Sequence, residues 1–82
     1  FYNELFNLPV IAGQYLAFIH YYTKINGRPP ANADFQAYFH ADPASVQHMI
    51  IALEHKGLIN KIPRTPRTIS LAVPKCCIPD LD

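Results

Sequence analysis

Residues 42–57 read D-P-A-S-V-Q-H-M-I-I-A-L-E-H-K-G and are the most clearly specified helix in the chain. Asp42 suits the N-cap, and Pro43 suits the first helical position, where an N–H would have no intrahelical partner. Gly57 follows at the place where a glycine commonly ends a helix. Between them lies an apolar face at three- and four-residue spacing, which consists of Val46, Met49, Ile50 and Leu53. This pattern predicts a helix from Pro43 to Lys56.

Eight prolines limit where the other helices can lie. They stand at positions 9, 29, 30, 43, 63, 66, 74 and 79. Because proline breaks the interior of a helix, long helices are confined to residues 9–28, 31–42 and 43–62. The first window has one apolar helical face, made of Ile11, Ala12, Tyr15, Leu16, Phe18, Ile19 and Tyr22. In the second window Asn32 is a candidate N-cap for a short helix. The apolar side of that helix consists of Phe35, Tyr38 and Phe39.

After Gly57 the pattern changes from that of a helix to that of strands. Residues 58–62 are a short apolar run, and in residues 68–73 the larger apolar residues alternate with small or polar ones. The proline-containing stretch between them predicts an antiparallel hairpin whose tip carries Arg64, with Arg67 beside it. The predicted fold is therefore mainly α with a small antiparallel β-hairpin: three helices plus a wing, the layout of a winged helix-turn-helix.

The length of 82 residues and the hydrophobic half of the composition predict a single domain over residues 1–82. Residues 74–82, with two prolines, are expected to be an extended carboxy-terminal tail. Residues 1–8 are an amino-terminal extension rich in aromatic residues and too short to be a stable helix alone. We expect this extension to fold back on the domain. The alternative is that it packs against a second copy, because DNA readers of this shape commonly pair on two half-sites.

Three short segments carry a family resemblance. Residues 19–30 read I-H-Y-Y-T-K-I-N-G-R-P-P, residues 52–59 read A-L-E-H-K-G-L-I, and residues 67–71 read R-T-I-S-L. In order and spacing they resemble the amino-terminal DNA-binding domain of the LexA repressor family, over residues 10–73. That family has a glycine-x-proline-proline loop after its first helix, leucine-x-x-lysine-glycine at the end of its third, and an arginine-x-isoleucine-x-leucine-like strand in its wing. The resemblance implies base contacts near the start of the third helix, at Asp42, Ala44, Ser45, Gln47 and His48.

The sequence departs from that family in three respects. The self-cleaving serine-lysine protease domain that follows in the family is not among these residues, so autoproteolysis is not inferred. The turn between the second and third helices is slightly shorter, with His40 near the usual position of a glycine. The residues on the third helix differ from the family's, so its DNA target cannot be carried over.

The face of the third helix opposite its apolar side is the candidate reading surface. At about 100° per residue it holds Ala44, His48, Ile51 and His55, with Gln47 on its flank. Glutamine pairs bidentately with adenine, an apolar group packs on a thymine methyl, and serine or histidine bonds to base edges. Two other interpretations stay open. The face is simply solvated, for which Ile51 is an unusual residue, or Met49 and Ile51 contact a protein.

The charge distribution favours a nucleic-acid partner for the carboxy-terminal half. The whole chain has a net charge of +1, but residues 43–75 carry five basic residues against Glu54, a net +4. Basic side chains beside a reading helix are where phosphate contacts are needed. We therefore assign backbone contacts to Lys61, Arg64 and Arg67, with Arg64 at the wing tip the foremost candidate. Ordinary solubility charge is the competing explanation.

No set of residues suggests catalysis, a metal or a cofactor. His48 and His55 lie two helical turns apart, about 10 Å, which is too far to share one ion. Cys76 and Cys77 are adjacent, a spacing at which a disulfide is strained, so a reducing cytoplasm is expected. The apolar runs are much shorter than a membrane span. We therefore expect no enzyme, but a transcriptional regulator that binds double-stranded DNA sequence-specifically. The alternative is a winged-helix adaptor with a protein partner.

Overall fold

The computed structural model describes residues 10–74 and 78–81, and in this part of the chain the predicted winged helix-turn-helix is confirmed. The helices are α1 (Val10–Asn26), α2 (Asn32–Phe39) and α3 (Pro43–His55), and the strands are β1 (Ile59–Asn60) and β2 (Ser70–Leu71). Among these helices, none is long and apolar enough to cross a membrane. The predictions for residues 1–8 and for Cys76 and Cys77 lie outside the described residues.

Aromatic side chains join α1 to α2 in the core. Phe35 of α2 is fully buried and stacks on Tyr15 with ring centroids 5.1 Å apart, and it meets Phe18 at 5.0 Å. Phe39 stacks on Tyr15 at 4.5 Å. The other side of the core comes from α3 and the wing, with Val46, Ile50, Leu53, Leu58, Ile59, Ile69 and Val73. The apolar face predicted for α1 is buried from Ala12 to Ile19, while Ile11 at its start is 44% exposed and Tyr22 at its end is partly buried. Because the buried face of α3 points to this core, its opposite face is left to solvent.

Both ends of α3 are capped as predicted. Asp42 is the N-cap, and its carboxylate accepts a hydrogen bond from the backbone N–H of Ser45 at 3.3 Å. At the other end Gly57 has φ +76°, and the N–H of Leu58 bonds to the Leu53 carbonyl at 3.0 Å. This arrangement is a Schellman cap, in which a left-handed residue lets the chain fold back on the last turn. It directs the chain from α3 straight into β1.

The start of α2 corrects one prediction. Its N-cap is Ala31, and Asn32 is the first helical residue. The Asp34 carboxylate reaches back and accepts the Ala31 N–H at 2.8 Å, as an acidic residue in the first turn of a helix can. The Asn32 side chain is therefore not needed as a cap. At the other end His40 adopts the left-handed conformation with φ +53°, which explains why a glycine suits this position in the family.

The wing pairs fewer residues than the two runs suggested. Its register places Ile59 opposite Leu71, and pairing extends over only two residues of each strand. Beyond the strands the Thr68 hydroxyl replaces a ladder bond, because it accepts from the Ile62 N–H at 3.1 Å. Arg67 has φ +57°, outside the range of a strand. The tip is thus a series of turns held by side chains.

The described part of the carboxy-terminal tail, residues 78–81, lies against α1. It has no helix or strand, and Ile78 and Leu81 pack at the edge of the core. The Gln14 side-chain amide donates to the Asp80 carbonyl at 2.9 Å. The tail is therefore joined by a hydrogen bond to the first helix of the chain.

Candidate nucleic-acid interface

The structure exposes all the residues that the sequence assigned to base contact. They are Asp42, Ala44, Ser45, Gln47, His48 and Ile51. Ile51 is 50% exposed and gives this surface a large apolar side chain. The buried residues Val46, Ile50 and Leu53 hold the other side of α3 against the core. The arrangement presents a short polar surface with one apolar centre, and the base contacts themselves stay predictions.

Asp42 and Ser45 hold each other at the start of this surface. The Ser45 hydroxyl donates to one carboxylate oxygen at 2.6 Å, and its backbone N–H donates to the other at 3.3 Å. These bonds from Ser45 lower the pKa of Asp42, because they favour the ionised carboxylate. Asp42 is therefore an anion at neutral pH. A negative charge here repels phosphate, so the attraction for a DNA backbone must come from other residues.

Asn32 and Gln47 form a side-chain bridge between the two helices of the helix-turn-helix. The Asn32 Nδ2 donates to the Gln47 Oε1 at 3.0 Å. Asn32 is the first residue of α2, and Gln47 lies near the start of α3. The bridge therefore connects the candidate reading surface to the helix that precedes it.

Arg67 sits at the junction of the wing with the first two helices. Its Nη1 donates to Asp34 Oδ2 at 3.0 Å, to the Tyr22 hydroxyl at 3.2 Å and to the Pro29 carbonyl at 3.4 Å. These acceptors belong to α2, α1 and the loop between them. The charge predicted to hold a phosphate is thus engaged in an ion pair with Asp34 within the domain.

The hydrogen bond from the Ala31 N–H, together with the ion pair with Arg67, lowers the pKa of Asp34. Burial alone raises the pKa of the Asp34 carboxyl. The Ala31 N–H, the charge of Arg67 and the hydrogen bonds from Tyr22 and Arg67 together outweigh burial, so the pKa of Asp34 lies below its ordinary value. The same carboxylate therefore caps α2 and anchors the wing.

Lys61 and Arg64 border a groove between the wing and the start of α2. The groove has a volume of about 350 Å³ and is lined by residues 30–33, Lys61 and residues 64–69. Arg64 is exposed at the tip with φ +62°, and Lys61 is half-buried at the groove wall. The two cations lie on the wing, within reach of solvent. This placement suits contact with an extended anion that passes along the wing.

Sequence reasoning missed the partners that hold these side chains. Asn32 was assigned to a cap and Tyr22 to the apolar face of the first helix, while Asp34 was assigned no role. The first-turn position of Asp34, three residues after Ala31, is a signal that could have identified the cap. The contacts of Arg67 join residues 33 and 45 positions apart, and no local pattern reveals those. Within residues 10–74 and 78–81, no three His, Cys, Asp or Glu residues are grouped as metal ligands.

Comparison with known proteins places this geometry in a family. The family model for the LexA DNA binding domain matches residues 13–68. A similar curated protein is the LexA repressor of Thermosipho melanesiensis, which is 39% identical over 56 residues. That alignment covers 68% of this chain and 28% of the repressor. The match spans α1 to the end of the wing tip and leaves most of the repressor's length unmatched.

Proposed function

This chain belongs to the LexA DNA-binding domain family, and we propose that it binds double-stranded DNA sequence-specifically as part of a transcriptional regulator. In this proposal α3 enters the major groove and the wing contacts the sugar–phosphate backbone. The observation that carries it is the exposed surface of α3, which is held outward by a buried face and is joined through Asn32 to the groove that Lys61 and Arg64 border. Such a regulator would work in the reducing compartment that the cysteines suggest.

The dimensions and chemistry of α3 support a place in the major groove. The groove is about 12 Å wide and admits a helix, and base edges there differ in their donors, acceptors and methyl groups. Gln47, His48 and Ser45 supply hydrogen-bonding groups, and Ile51 supplies an apolar group for a thymine methyl. We propose that these residues, with Ala44 beside them, face the bases. Asp42 mainly sets the geometry of the helix start.

Backbone contacts are proposed for the wing. Lys61 and Arg64 provide positive charge next to the protein groove between the wing and the start of α2. The helix α3 itself has no Lys or Arg within its bounds. Phosphate contacts of this kind give affinity and register without sequence information. The division of labour is therefore specificity from α3 and affinity from the wing.

Selection from a random duplex pool tests the proposal. The chain should enrich one motif at low salt, and the enrichment should fade as salt rises, because phosphate binding releases counterions. A two-fold symmetric motif would add that two copies bind together. A matched pair of variants locates the backbone contact. Arg64→Ala should weaken binding to all duplexes, while Arg28→Ala, an exposed arginine in the α1–α2 loop, should leave it unchanged. No enrichment and no retention of bulk duplex would contradict the proposal.

Exposed Ile51 also supports a second candidate, a protein-binding module. An apolar side chain at the centre of the α3 surface could pack against a protein partner. Salt separates the two functions, because an apolar contact persists at salt concentrations that release DNA. Binding to a protein that resists salt and is lost in Ile51→Ser, with no DNA motif, would favour this second function.

A further inference from the structure

The Asn32–Gln47 bridge has a consequence for which base Gln47 reads. A glutamine amide has an oxygen that accepts and an NH₂ group that donates two hydrogen bonds. Bidentate pairing with adenine needs both ends, since the oxygen accepts from N6 and the nitrogen donates to N7. In the structure the oxygen already accepts from Asn32 at 3.0 Å. The oxygen keeps one lone pair, whereas the nitrogen keeps both of its N–H donors, so the held amide offers a ligand more donors than acceptors.

We infer that Asn32 is a positioning residue that orients the Gln47 amide so that it presents N–H donors to the DNA. This inference rests on the proposed function, because it assumes that α3 faces the bases. Guanine carries two neighbouring major-groove acceptors, O6 and N7, which match a donor pair. We therefore expect Gln47 to read guanine, which uses both free donors, in preference to adenine, which needs the remaining lone pair of the oxygen.

The local structure explains why Asn32 is available for this task. The N-cap of α2 is Ala31, and its N–H is satisfied by Asp34. The Asn32 side chain is half-buried against α3, whereas Gln47 is exposed. The bridge thus joins a partly covered side chain to an exposed one. Holding a flexible side chain in its binding orientation removes the entropy loss that would otherwise oppose binding.

The free protein provides the first test. An NMR experiment should show contacts between the Asn32 side-chain amide protons and the Gln47 side chain, and Gln47→Ala should shift the Asn32 amide signals. Asn26→Ala is a matched control, because the Asn26 amide bonds to the Tyr22 carbonyl of its own helix at 3.0 Å. This variant should leave the signals of the bridge in place. Absence of any contact between the two side chains would overturn the inference and leave the proposed function standing.

Base preference provides the second test. Affinities are measured for the selected motif and for its three single-base variants at the position that Gln47→Ala relaxes. The wild-type chain should prefer guanine by about 5- to 150-fold, the range of a good bidentate contact. Asn32→Ala should reduce this preference by about 2- to 10-fold, which corresponds to freeing one side chain. Asn26→Ala should not change it.

Asn32→Asp reverses the polarity of the bridge. A carboxylate accepts but cannot donate, so it should bind the NH₂ of Gln47 and turn the oxygen towards the DNA. The preference should then move from guanine to cytosine, whose N4 amino group is a donor. A wild-type preference for adenine or cytosine, or an unchanged preference in both Asn32 variants, would overturn the inference. If the wild-type chain bound no duplex at all, that result would instead contradict the proposed function on which this inference rests.

Discussion

The guanidinium of Arg67 is held by contacts within the domain, and we propose that it acts on DNA binding through the position of the wing. One nitrogen donates to three oxygens on α1, the following loop and α2. Arg67 also has a left-handed backbone, with φ +57°. We therefore interpret Arg67 as the residue that sets the position of the wing, and Arg64 as the one that uses that position.

Substitutions at the two arginines should have different effects. Arg64→Ala should weaken binding to every duplex, lower the salt slope by about one and leave the melting temperature unchanged. Arg67→Ala should lower the melting temperature and weaken DNA binding through displacement of the wing. Arg67→Lys tests whether these effects depend on the charge of Arg67 or on the geometry of its guanidinium, because lysine keeps the charge but lacks the planar fork of donors. Thermal unfolding and salt titrations would measure this. Full recovery of both properties in Arg67→Lys would contradict the positioning role.

Acid should weaken the same cluster. The pKa of Asp34 is lowered in the folded chain, so its contribution to stability is complete above the unfolded pKa, about 3.9. It should be lost as the pH falls from there through the folded pKa. We expect Asp34→Asn to be less stable than wild type at pH 7 and to show a shallower loss of stability below pH 4. Denaturant unfolding across this range measures the difference. Parallel pH profiles for the two chains would remove Asp34 from the account.

At the scale of elements, α2 and α3 are each followed by a residue with a left-handed backbone, which is a histidine after α2 and a glycine after α3. Gly57 has φ +76° and His40 has φ +53°. A side chain in this conformation costs about 1–2 kcal/mol relative to the right-handed one, and glycine avoids that cost. A Cβ at Gly57 would meet no atom within 4 Å, so its requirement is purely one of backbone conformation.

Placing a side chain at Gly57 and placing glycine at His40 should therefore change the free energy of unfolding in opposite directions. Gly57→Ala should destabilise the chain by about 1–2 kcal/mol, and Gly57→Asn by less, because asparagine tolerates the left-handed region. His40→Gly should stabilise it by up to about 1 kcal/mol. Chemical denaturation measures all three. A stabilising Gly57→Ala would show that the Schellman cap does not require its left-handed residue.

The predictable parts of the fold depend on near neighbours in sequence. The bounds of α3 follow from Asp42, Pro43 and Gly57, which act on the chain within one turn. The start of α2 was misplaced because Asn32 and Asp34 both suit a helix start, and the sequence does not show that Asp34 takes the Ala31 N–H while the Asn32 side chain bonds to Gln47. The strands were overestimated because alternation indicates a strand but not where side chains replace its ladder. The bridge at Gln47 and the cluster around Arg67 depend on residues brought together only by folding.

At the scale of the whole molecule, the core joins elements that are distant in sequence. The free energy of unfolding that it provides is small. A domain of this size is stabilised by about 4–12 kcal/mol in total. Phe35 is fully buried among the rings that join α1 to α2. Phe35→Ala should cost about 3–5 kcal/mol, a large part of that total. The helix-turn-helix should then lose its structure and its DNA binding together, as circular dichroism and binding assays would show. Retained DNA binding in an unfolded variant would contradict the link between this core and the reading surface.

The contact between the tail and α1 can be measured at one close approach. Gly13 lies within α1, where glycine costs about 1 kcal/mol relative to alanine. A Cβ at this position would lie 3.1 Å from Cγ of Pro79, so alanine would require the tail to shift by a few tenths of an ångström. Gly13→Ala should therefore stabilise the chain fully only when that proline ring is absent. We expect Gly13→Ala to raise the free energy of unfolding by about 1 kcal/mol in a Pro79→Ala background and by clearly less in the wild type.

The coupling between the two substitutions then isolates the contact, because their separate effects on the unfolded chain cancel. Strictly additive free energies of unfolding would mean that residues 78–81 do not rest on α1 in solution. In that case the 2.9 Å hydrogen bond from the Gln14 side chain to the Asp80 carbonyl of the tail would be absent as well.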